Sequence, residues 1–201
     1  MSFANYEARE INFKVVYYGP ALSGKTTNLH YIHTRIRPDR RSALLMLPAV
    51  HDRVLFFDFM PETLEAIGEL RLRFHLHTIP GAVFSDTSRR QVLKNADGVV
   101  FVADSQDARR EANVLSFADL EAGMAAHGLD LRATPLVVQY NKRDTPNAMP
   151  VAELDELLPT IPCPRFEAIA STGVGVFDTL RAVARAIVGR HRAESGDTPT
   201  G

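Results

Sequence analysis

The segment from Gly19 to Thr27 constrains the fold of this chain more than any other part of the sequence. It reads Gly-Pro-Ala-Leu-Ser-Gly-Lys-Thr-Thr and matches G-x-x-x-x-G-K-[ST], the pattern of a phosphate-binding loop. Glycines in such a loop let backbone N–H groups approach the phosphate oxygens, and a helix that begins there points its positive dipole end at the same anion. The residues that we predict to bind nucleotide in this segment are Gly19, Ala21, Leu22, Ser23, Gly24, Lys25, Thr26 and Thr27.

The residues on either side of this loop have the patterns that a working phosphate-binding loop requires. Residues 10–18 are rich in β-branched and aromatic side chains, which predicts a strand that ends where the loop begins. After the loop, Leu29, Ile32 and Ile36 recur at helical spacing. Pro38 then ends the predicted helix, because proline cannot continue it. Both flanks argue against a chance Gly-Lys-Thr turn.

Two side chains of the loop supply charge and metal ligation. Lys25 adds positive charge beside the outer phosphates, and we also predict a catalytic role for it. The hydroxyl of Thr26 is the predicted protein ligand of the Mg²⁺ that bridges these phosphates. The loop by itself therefore predicts a nucleoside triphosphate as ligand and Mg²⁺ as cofactor.

The composition is that of an ordinary globular protein. The chain has 201 residues, of which 45% are hydrophobic and 23% charged, and we predict one domain over residues 1–190 with a flexible C-terminal tail over residues 191–201. The formal net charge of −1 gives no basic footprint for nucleic acid, and no apolar run is long enough for a membrane span. Cys163 is the only cysteine, which fits a reducing compartment. We expect a cytoplasmic protein with no nucleic-acid partner and no direct membrane insertion.

Predicted strands alternate with predicted helices along the rest of the chain. Residues 38–52 carry no clean periodicity, and we interpret them as a long loop. Strand-like runs at residues 53–59 and 70–78 are too close together for a crossover helix, which predicts an antiparallel pair. Continuous apolar runs at residues 98–104 and 135–140 are typical of strands buried on both faces of a parallel sheet. This order predicts an α/β fold, a doubly wound and mostly parallel sheet with one antiparallel edge strand pair and helices on both faces.

A second motif, N-K-R-D at residues 141–144, directly follows a predicted buried strand, where a doubly wound sheet binds its ligands. An ionised Asp144 accepts hydrogen bonds from N1–H and the exocyclic amine of guanine, whereas adenine would leave this carboxylate unpaired. Asn141 offers an amide to the base edge or to bracing of the loops, and Lys142 can lay its aliphatic stem over the purine. A backbone N–H after the last strand, for which we choose Ala170, can mark guanine O6. The predicted guanine-site residues are Asn141, Lys142, Asp144, Ala170 and Ser171, so the predicted ligands are GTP and GDP.

With these motifs in this order, the sequence resembles a Ras-like small GTPase of the P-loop NTPase fold, and more narrowly the bacterial MglA family of gliding-motility and cell-polarity GTPases. The resemblance runs from about residue 2 to residue 190. Besides the two motifs, it is carried by residues 17–20, 53–59, 73–76, 78–81, 101–105 and 173–177. It implies a switch whose GTP form binds polarity or motility effectors and is recruited to a cell pole, and an MglB-like roadblock-domain protein as GTPase-activating partner. It also implies an extra strand before Ile11.

The resemblance identifies two positions where catalytic groups of that family are missing. At the position of Ala82 the family has a glutamine that orients the attacking water. At the position of Val54 it has a threonine that lies near the magnesium and the γ-phosphate. Alanine and valine have no polar group for these tasks. Gly81 is carried over as a nucleotide-binding residue. Arg53 is carried over as a catalytic, built-in arginine finger, a group worth about 10³–10⁵ in rate only when the water is also positioned. Without the resemblance, Arg53 would be interpreted as a solvated residue at the start of a strand.

Two functions of different classes fit these residues. The first is a regulatory GTPase, an enzyme that hydrolyses GTP slowly and depends on a partner to complete its site; the retained Arg53 favours it. The second is a non-cycling GTP-binding scaffold with negligible turnover, which Ala82 and Val54 favour. A metabolic kinase is a weaker third hypothesis, because the second motif specifies guanine and the sequence shows no lid for an acceptor substrate.

Other residues with chemical potential are assigned structural roles. His75 and His77 lie on one strand face, but nothing completes the three or four ligands that zinc prefers. Arg109 and Arg110 are interpreted as solvated residues on a helix face.

Overall fold

An eight-stranded mixed sheet runs through the described part of the chain. A computed structural model describes residues 3–49, 52–62, 64, 66–79 and 91–196. The strands are β1 (Phe3–Asn5), β2 (Glu10–Tyr18), β3 (Leu45–Ala49), β4 (Asp52–Phe59), β5 (Arg71–Thr78), β6 (Gly98–Asp104), β7 (Leu136–Asn141) and β8 (Arg165–Glu167). The α-helices are α1 (Lys25–Arg35), α2 (Arg110–Ala125), α3 (Val151–Leu157) and α4 (Val176–Ser195), and 3₁₀ turns occupy Pro38–Arg40 and Asp107–Arg109.

The order of the strands in the sheet is β3-β4-β5-β2-β6-β7-β8, with β1 paired to the first part of β2. The pairs from β5 to β8 are parallel, whereas β3 and β4 form an antiparallel pair at one edge and β4 is antiparallel to β5. This topology confirms the predicted doubly wound α/β fold. The antiparallel pairing predicted for residues 53–59 and 70–78 is that of β4 with β5, although β3 and not β4 is the edge strand. The extra N-terminal strand is also confirmed, since Ala4 of β1 pairs with Ile11 of β2.

The interpretation of residues 38–52 as a long loop is wrong. They contain the 3₁₀ turn at Pro38–Arg40 and strand β3, which forms the edge of the sheet against β4. The consecutive residues Leu45 and Met46 are apolar and 46% and 50% exposed, so the start of this edge strand lacks the alternation of apolar and polar residues that identifies a strand in sequence. Its backbone pairs with β4, the next strand along the chain.

Two apolar cores cover the two faces of the sheet. On one face, Val15 and Tyr17 of β2 pack in a cluster with Leu29 and Ile32 of α1 and residues of α4. On the other face, Val16 of β2 belongs to a cluster that includes residues of α2 and α3. Because side chains alternate along a strand, one strand serves both cores. The loops after β2, β6, β7 and β8 then meet at the carboxyl edge of the sheet, where the predicted ligand residues lie.

The last helix extends beyond the predicted end of the domain. Helix α4 continues to Ser195 and ends at Gly196, whose φ of +69° is the left-handed conformation that suits a glycine after a helix. Residues 191–195, which the sequence assigns to a flexible tail, are therefore helical. None of the helices in the described part of the chain has the length and apolar character needed to cross a membrane.

Candidate nucleotide-binding site

The loop after β2 has a backbone conformation that requires glycine at two positions of the motif. Gly19 and Gly24 have φ values of +140° and +100°. A Cβ atom at Gly19 would lie 2.2 Å from the carbonyl oxygen of Val102, and one at Gly24 would lie 2.1 Å from Nδ2 of Asn141. Leu22 also has a positive φ, of 63°, and its side chain is 85% exposed. The loop therefore needs glycine at both glycine positions of the motif, because neighbouring atoms leave no space for a side chain.

Helix α1 begins at Lys25 with its N-terminus open to an anion. Gly24 precedes the helix, no side chain of the described residues caps it, and its first turn contains no acidic residue. Thr26 and Thr27 are exposed in this first turn. Helix N-termini carry partial positive charge and unsatisfied N–H donors, so this end fits phosphate groups.

The ammonium group of Lys25 lies against the same loop. Its Nζ donates hydrogen bonds to the carbonyl oxygens of Gly19, at 2.8 Å, and Pro20, at 2.6 Å. Lys25 is only 4% exposed. A buried positive charge at the open helix N-terminus is the arrangement that a polyphosphate requires.

Asn141 connects the loops rather than facing the base edge. Its Nδ2 donates to the carbonyl oxygen of Ser23 at 2.7 Å, and its Oδ1 accepts from the backbone N–H of Ala170 at 2.9 Å. Asn141 is 2% exposed. The sequence leaves two roles open for Asn141, and in the structure its side chain braces the loops. The backbone N–H of Ala170, which we chose for guanine O6, is hydrogen-bonded to Asn141.

The two neighbours of Asn141 in the motif remain suited to a base. Asp144 is exposed, and no hydrogen bond or ion pair joins its carboxylate to another described residue. Lys142 has a φ of +65°, rare for a residue with a side chain, and its ammonium group lies 2.7 Å from the buried Asp104 carboxylate. Ser171 is exposed beside Ala170. The predicted phosphate and guanine residues therefore meet at one edge of the sheet.

A buried network of amides lies beneath this edge, and the sequence analysis did not identify it. Asn28 Nδ2 donates to Gln139 Oε1 at 2.8 Å and to the carbonyl oxygen of Gly24 at 3.0 Å. Gln139 Nε2 donates to Thr179 Oγ1 at 3.0 Å, and Thr179 Oγ1 donates to the carbonyl oxygen of Gly175 at 2.7 Å. The three side chains are fully buried. The sequence signal was a single glutamine within an otherwise apolar strand.

The interpretation of Arg109 as a solvated residue is wrong. Its Nη2 donates to the carbonyl oxygen of Ala21 in the phosphate-binding loop at 2.7 Å, and its Nε lies 3.8 Å from Oδ2 of Asp104. The neighbouring Arg110 does lie at the surface, where it pairs with Asp107 at 2.6 Å and with Glu153. Adjacent arginines thus have different roles, because the 3₁₀ turn before α2 directs one of them toward the loop.

A second polar cluster lies on one face of β2, β4 and β5, and we call it the strand ladder; it consists of Glu10, Asn12, Asp58, Arg73, His75 and His77. Arg73 contacts Glu10 and Asp58, both at 2.7 Å, and His75 Nε2 lies 2.8 Å from Asn12 Oδ1. His77 stacks on Phe56 with ring centroids 5.5 Å apart. Within the described residues, no group of three His, Cys, Asp or Glu side chains could hold a metal ion, so these histidines have no metal-binding set there.

Comparison with known proteins agrees with this geometry. Residues 2–162 match the model of the ADP-ribosylation factor family. The chain is also 53% identical over 188 residues to the mutual gliding-motility protein MglA of Myxococcus xanthus (strain DK1622), a match that covers 94% of this chain and 96% of that protein. The chain belongs to the ADP-ribosylation factor family. It is a small GTP-binding protein of the Ras-like GTPase class, and its resemblance to MglA-type GTPases is confirmed.

Of the two positions predicted to lack catalytic groups, Val54 lies within the described residues and Ala82 does not. Val54 lies in β4, is 8% exposed and pairs with Leu47 of β3, and its isopropyl group can form no hydrogen bond. The backbone of Arg53 also lies in β4, but its side chain is outside the described part of the chain. Gly81 and Ala82 lie outside the described residues.

Proposed function

We propose that this protein is a regulatory switch that binds GTP and GDP with Mg²⁺, hydrolyses GTP slowly and takes part in gliding motility or cell polarity. The observation that carries the proposal is the Asn141 side chain, which joins Ser23 of the phosphate-binding loop to Ala170 of the guanine loop. This contact supports one site in which a phosphate group and a guanine base are bound together.

The described residues fit this ligand at both ends. The loop N–H groups, the open N-terminus of α1 and the Lys25 ammonium would hold the phosphates, and the exposed Thr26 hydroxyl would hold Mg²⁺. When bound, the metal neutralises charge that develops on the phosphates. The exposed Asp144 carboxylate would accept from guanine N1–H and the exocyclic amine, and the Lys142 stem would cover the purine.

Slow hydrolysis follows from missing hydrogen-bonding groups. Val54 offers no oxygen to the metal or the γ-phosphate, and Ala82 offers no amide to orient water. Arg53 is the remaining catalytic candidate, and an arginine accelerates the reaction only when the water is also held. A roadblock-domain partner like MglB would supply or order the groups that the chain lacks.

The cellular role rests on the relative. The Myxococcus xanthus protein is named a mutual gliding-motility protein, and the match extends over almost all of both chains. We propose that the protein acts in the cytoplasm and is recruited to a cell pole through polarity or motility effectors; the likeness to this relative supports the link to motility.

The competing function is a non-cycling GTP-binding scaffold, which the valine at position 54 favours. Nucleotide content and turnover discriminate the two. The purified switch should carry mainly GDP, because hydrolysis in the slow intrinsic range of small GTPases, about 10⁻⁴–10⁻³ s⁻¹, consumes bound GTP within hours, whereas a non-cycling scaffold should retain GTP. The single-turnover rate of the switch should stay in this range until a roadblock-domain protein is added. A rate on the order of 1 s⁻¹ without any partner would contradict slow hydrolysis. An unchanged rate with every roadblock partner tested would favour the scaffold.

Restoring the two missing polar groups provides the sharper test. Ala82→Gln combined with Val54→Thr should raise the partner-free rate by about 10- to 100-fold, since one preorganised hydrogen-bond donor is typically worth that much or more. Ala82→Leu combined with Val54→Ala changes the same positions without adding a polar group and serves as the matched control. Equal rates in the two double variants would mean that the missing groups do not limit hydrolysis.

A further inference from the structure

The carboxylate of Asp104 is fully buried between the phosphate-binding loop and the guanine loop. Its Oδ2 accepts from Lys142 Nζ at 2.7 Å, and its Oδ1 accepts from the backbone N–H and the side-chain amide of Gln106, each at 3.1 Å. A buried carboxylate is stable only when it is paired and hydrogen-bonded. These contacts hold the Asp104 carboxylate in one position, although the residue belongs to neither nucleotide-binding motif.

The backbone of Asp104 is fixed as firmly as its side chain. The buried Asn113 of α2 accepts from the Asp104 N–H at 2.9 Å and donates to the Asp104 carbonyl oxygen at 2.8 Å. Asp104 is also in parallel register with Asn141, the residue that precedes Lys142. Helix α2 and strand β7 thus hold the carboxylate at one position beside the guanine loop.

Arg109 connects the same carboxylate to the phosphate-binding loop. Its Nε lies 3.8 Å from Asp104 Oδ2, and its Nη2 donates to the carbonyl oxygen of Ala21 at 2.7 Å. The side chains of Arg109 and Lys142 are 32% and 28% exposed, against none for Asp104. One buried negative charge therefore holds two cations, and each cation belongs to or contacts a different half of the nucleotide site.

We propose that Asp104 and Arg109 are positioning residues that hold Lys142 and the phosphate-binding loop at the spacing required by the nucleotide, and thereby slow its release. This inference rests on the proposed binding of GTP and GDP. Lysine has a long flexible stem that loses rotamer freedom when it is ordered. The ion pair with Asp104 orders the Lys142 stem before a purine arrives, which is preorganisation and lowers the entropic cost of binding. Neither Asp104 nor Arg109 is assigned a contact with the nucleotide.

The dissociation rate of GDP labelled with a methylanthraniloyl fluorophore, chased with excess unlabelled GDP, measures this effect directly. Asp104→Asn and Arg109→Gln should each raise the rate by about tenfold or more, because each removes a hydrogen bond or ion pair that involves a charged group. Asp107→Asn and Arg110→Gln are matched controls, since they break a surface ion pair between the same 3₁₀ turn and the first residue of α2, and should change the rate by less than about twofold.

A double-mutant cycle separates positioning from a merely structural role. Asp104→Asn should have less than about a twofold effect on the release rate when Lys142→Met and Arg109→Gln are already present, since the carboxylate then has no cation to place. Arg109→Lys, which keeps the charge, should restore part of the slow release. Full additivity, with no rescue by lysine, would overturn the proposal.

Separate control experiments test whether each variant folds and whether the wild-type protein binds GDP. Because Asp104 is buried, thermal unfolding of each nucleotide-free variant is measured in parallel, and the partly exposed Arg109→Gln and Lys142→Met keep the test valid if Asp104→Asn does not fold. Release rates of folded variants that equal the wild-type rate would overturn this inference alone. A wild-type protein that binds no labelled GDP would overturn the proposed function and this inference with it.

Discussion

The nucleotide-binding edge and the strand ladder are both clusters of hydrogen-bonded polar side chains, yet they differ in what they connect. At the edge, Asn141 joins loops that are far apart in sequence, with Ser23 on one side and Ala170 on the other. In the ladder, Arg73 joins Glu10 and Asp58 across adjacent strands of one sheet. The first cluster organises loops around a ligand, and the second holds strands together.

The charges of the two clusters show the same difference. The hydrogen bond from Arg73 lowers the pKa of Glu10, and hydrogen bonds from Ser42 and Arg73 lower the pKa of Asp58 although its burial alone would raise it. These carboxylates are satisfied by their neighbours. Asp144 at the nucleotide edge is instead exposed, without a hydrogen bond or ion pair to another described residue. The two clusters therefore differ in whether a carboxylate remains available, as Asp144 does at the nucleotide edge, or is paired with its neighbours, as Glu10 and Asp58 are in the ladder.

The largest effect should come from filling the contact between the two loops. Gly24→Ala places a Cβ atom 2.1 Å from Asn141 Nδ2 at a φ of +100°, so it breaks the Asn141 contacts and strains the loop. The combined cost is about 4 kcal/mol, and we expect the free loop to relieve it by leaving its nucleotide-binding conformation. GDP affinity, measured by equilibrium titration, should therefore fall by up to about 1,000-fold.

Gly128→Ala is the matched control for this change. Gly128 also has a positive φ, of 68°, but a Cβ atom added there would have no neighbouring atom within 4 Å, so only the backbone conformation is penalised. This control should lower the free energy of unfolding by about 1–2 kcal/mol and leave GDP affinity unchanged. Equal losses of affinity in the two variants would show that the loop contact is not what matters.

A smaller effect, confined to binding of the base, should follow removal of the exposed Asp144 carboxylate. Asp144→Asn replaces an acceptor of two hydrogen bonds by an amide, so GDP affinity should fall by about 100-fold while the melting temperature stays the same. Xanthosine diphosphate, which carries a carbonyl in place of the exocyclic amine, should gain affinity because the new amide can donate to it. Asp39→Asn, at an exposed surface pair with Arg37, is the control and should change neither affinity. A variant that keeps its preference for GDP over the xanthine nucleotide would contradict the guanine assignment.

The smallest effect should appear in the strand ladder, as a change of stability and not of binding. Burial, with the nearby charges of Lys14 and His75, lowers the pKa of His77 to about 3, whereas the unfolded chain binds a proton near pH 6.5. Below pH 6.5 the unfolded state thus binds a proton that the folded state does not, so stability is complete above this pH and falls on acidification by up to about 1.4 kcal/mol per pH unit. His77→Phe should remove this contribution from urea-unfolding curves taken between about pH 7.5 and 5.

Other titrating groups also contribute to the pH dependence of stability, and a control variant separates their contribution from that of His77. Burial also lowers the pKa values of His33 and His75, so a reduced slope will remain in the variant. The carboxylates with lowered pKa values, Glu10 and Asp58, lose their contribution only at more acidic pH. Val114→Thr, at an exposed position of α2 that carries no titrating group, should leave the slope unchanged. A wild-type slope in the His77 variant, or a large loss of GDP affinity, would contradict the structural role of the ladder.

Much of the fold could be predicted because its signals are local. The phosphate-binding loop, the helix after it and the buried strands β6 and β7 are encoded by short patterns of glycine and apolar residues. Strand β3 was missed, because an edge strand with exposed Leu45 and Met46 has no alternation of its own. Arg109 was misinterpreted for a different reason, since its contact with Ala21 spans 88 residues of sequence.

The sequence by itself determined the backbone of the phosphate-binding loop and the chemical groups available for guanine, since both depend on residue types at fixed spacing. Only the tertiary structure decided how those groups are used. Asn141 and Ser23 are 118 residues apart, and Asn141 became a brace rather than a base contact because parallel strands bring their loops to one edge of the sheet. Asp104 likewise acquired its two cations from the packing of β6, β7 and α2, which no short sequence pattern specifies.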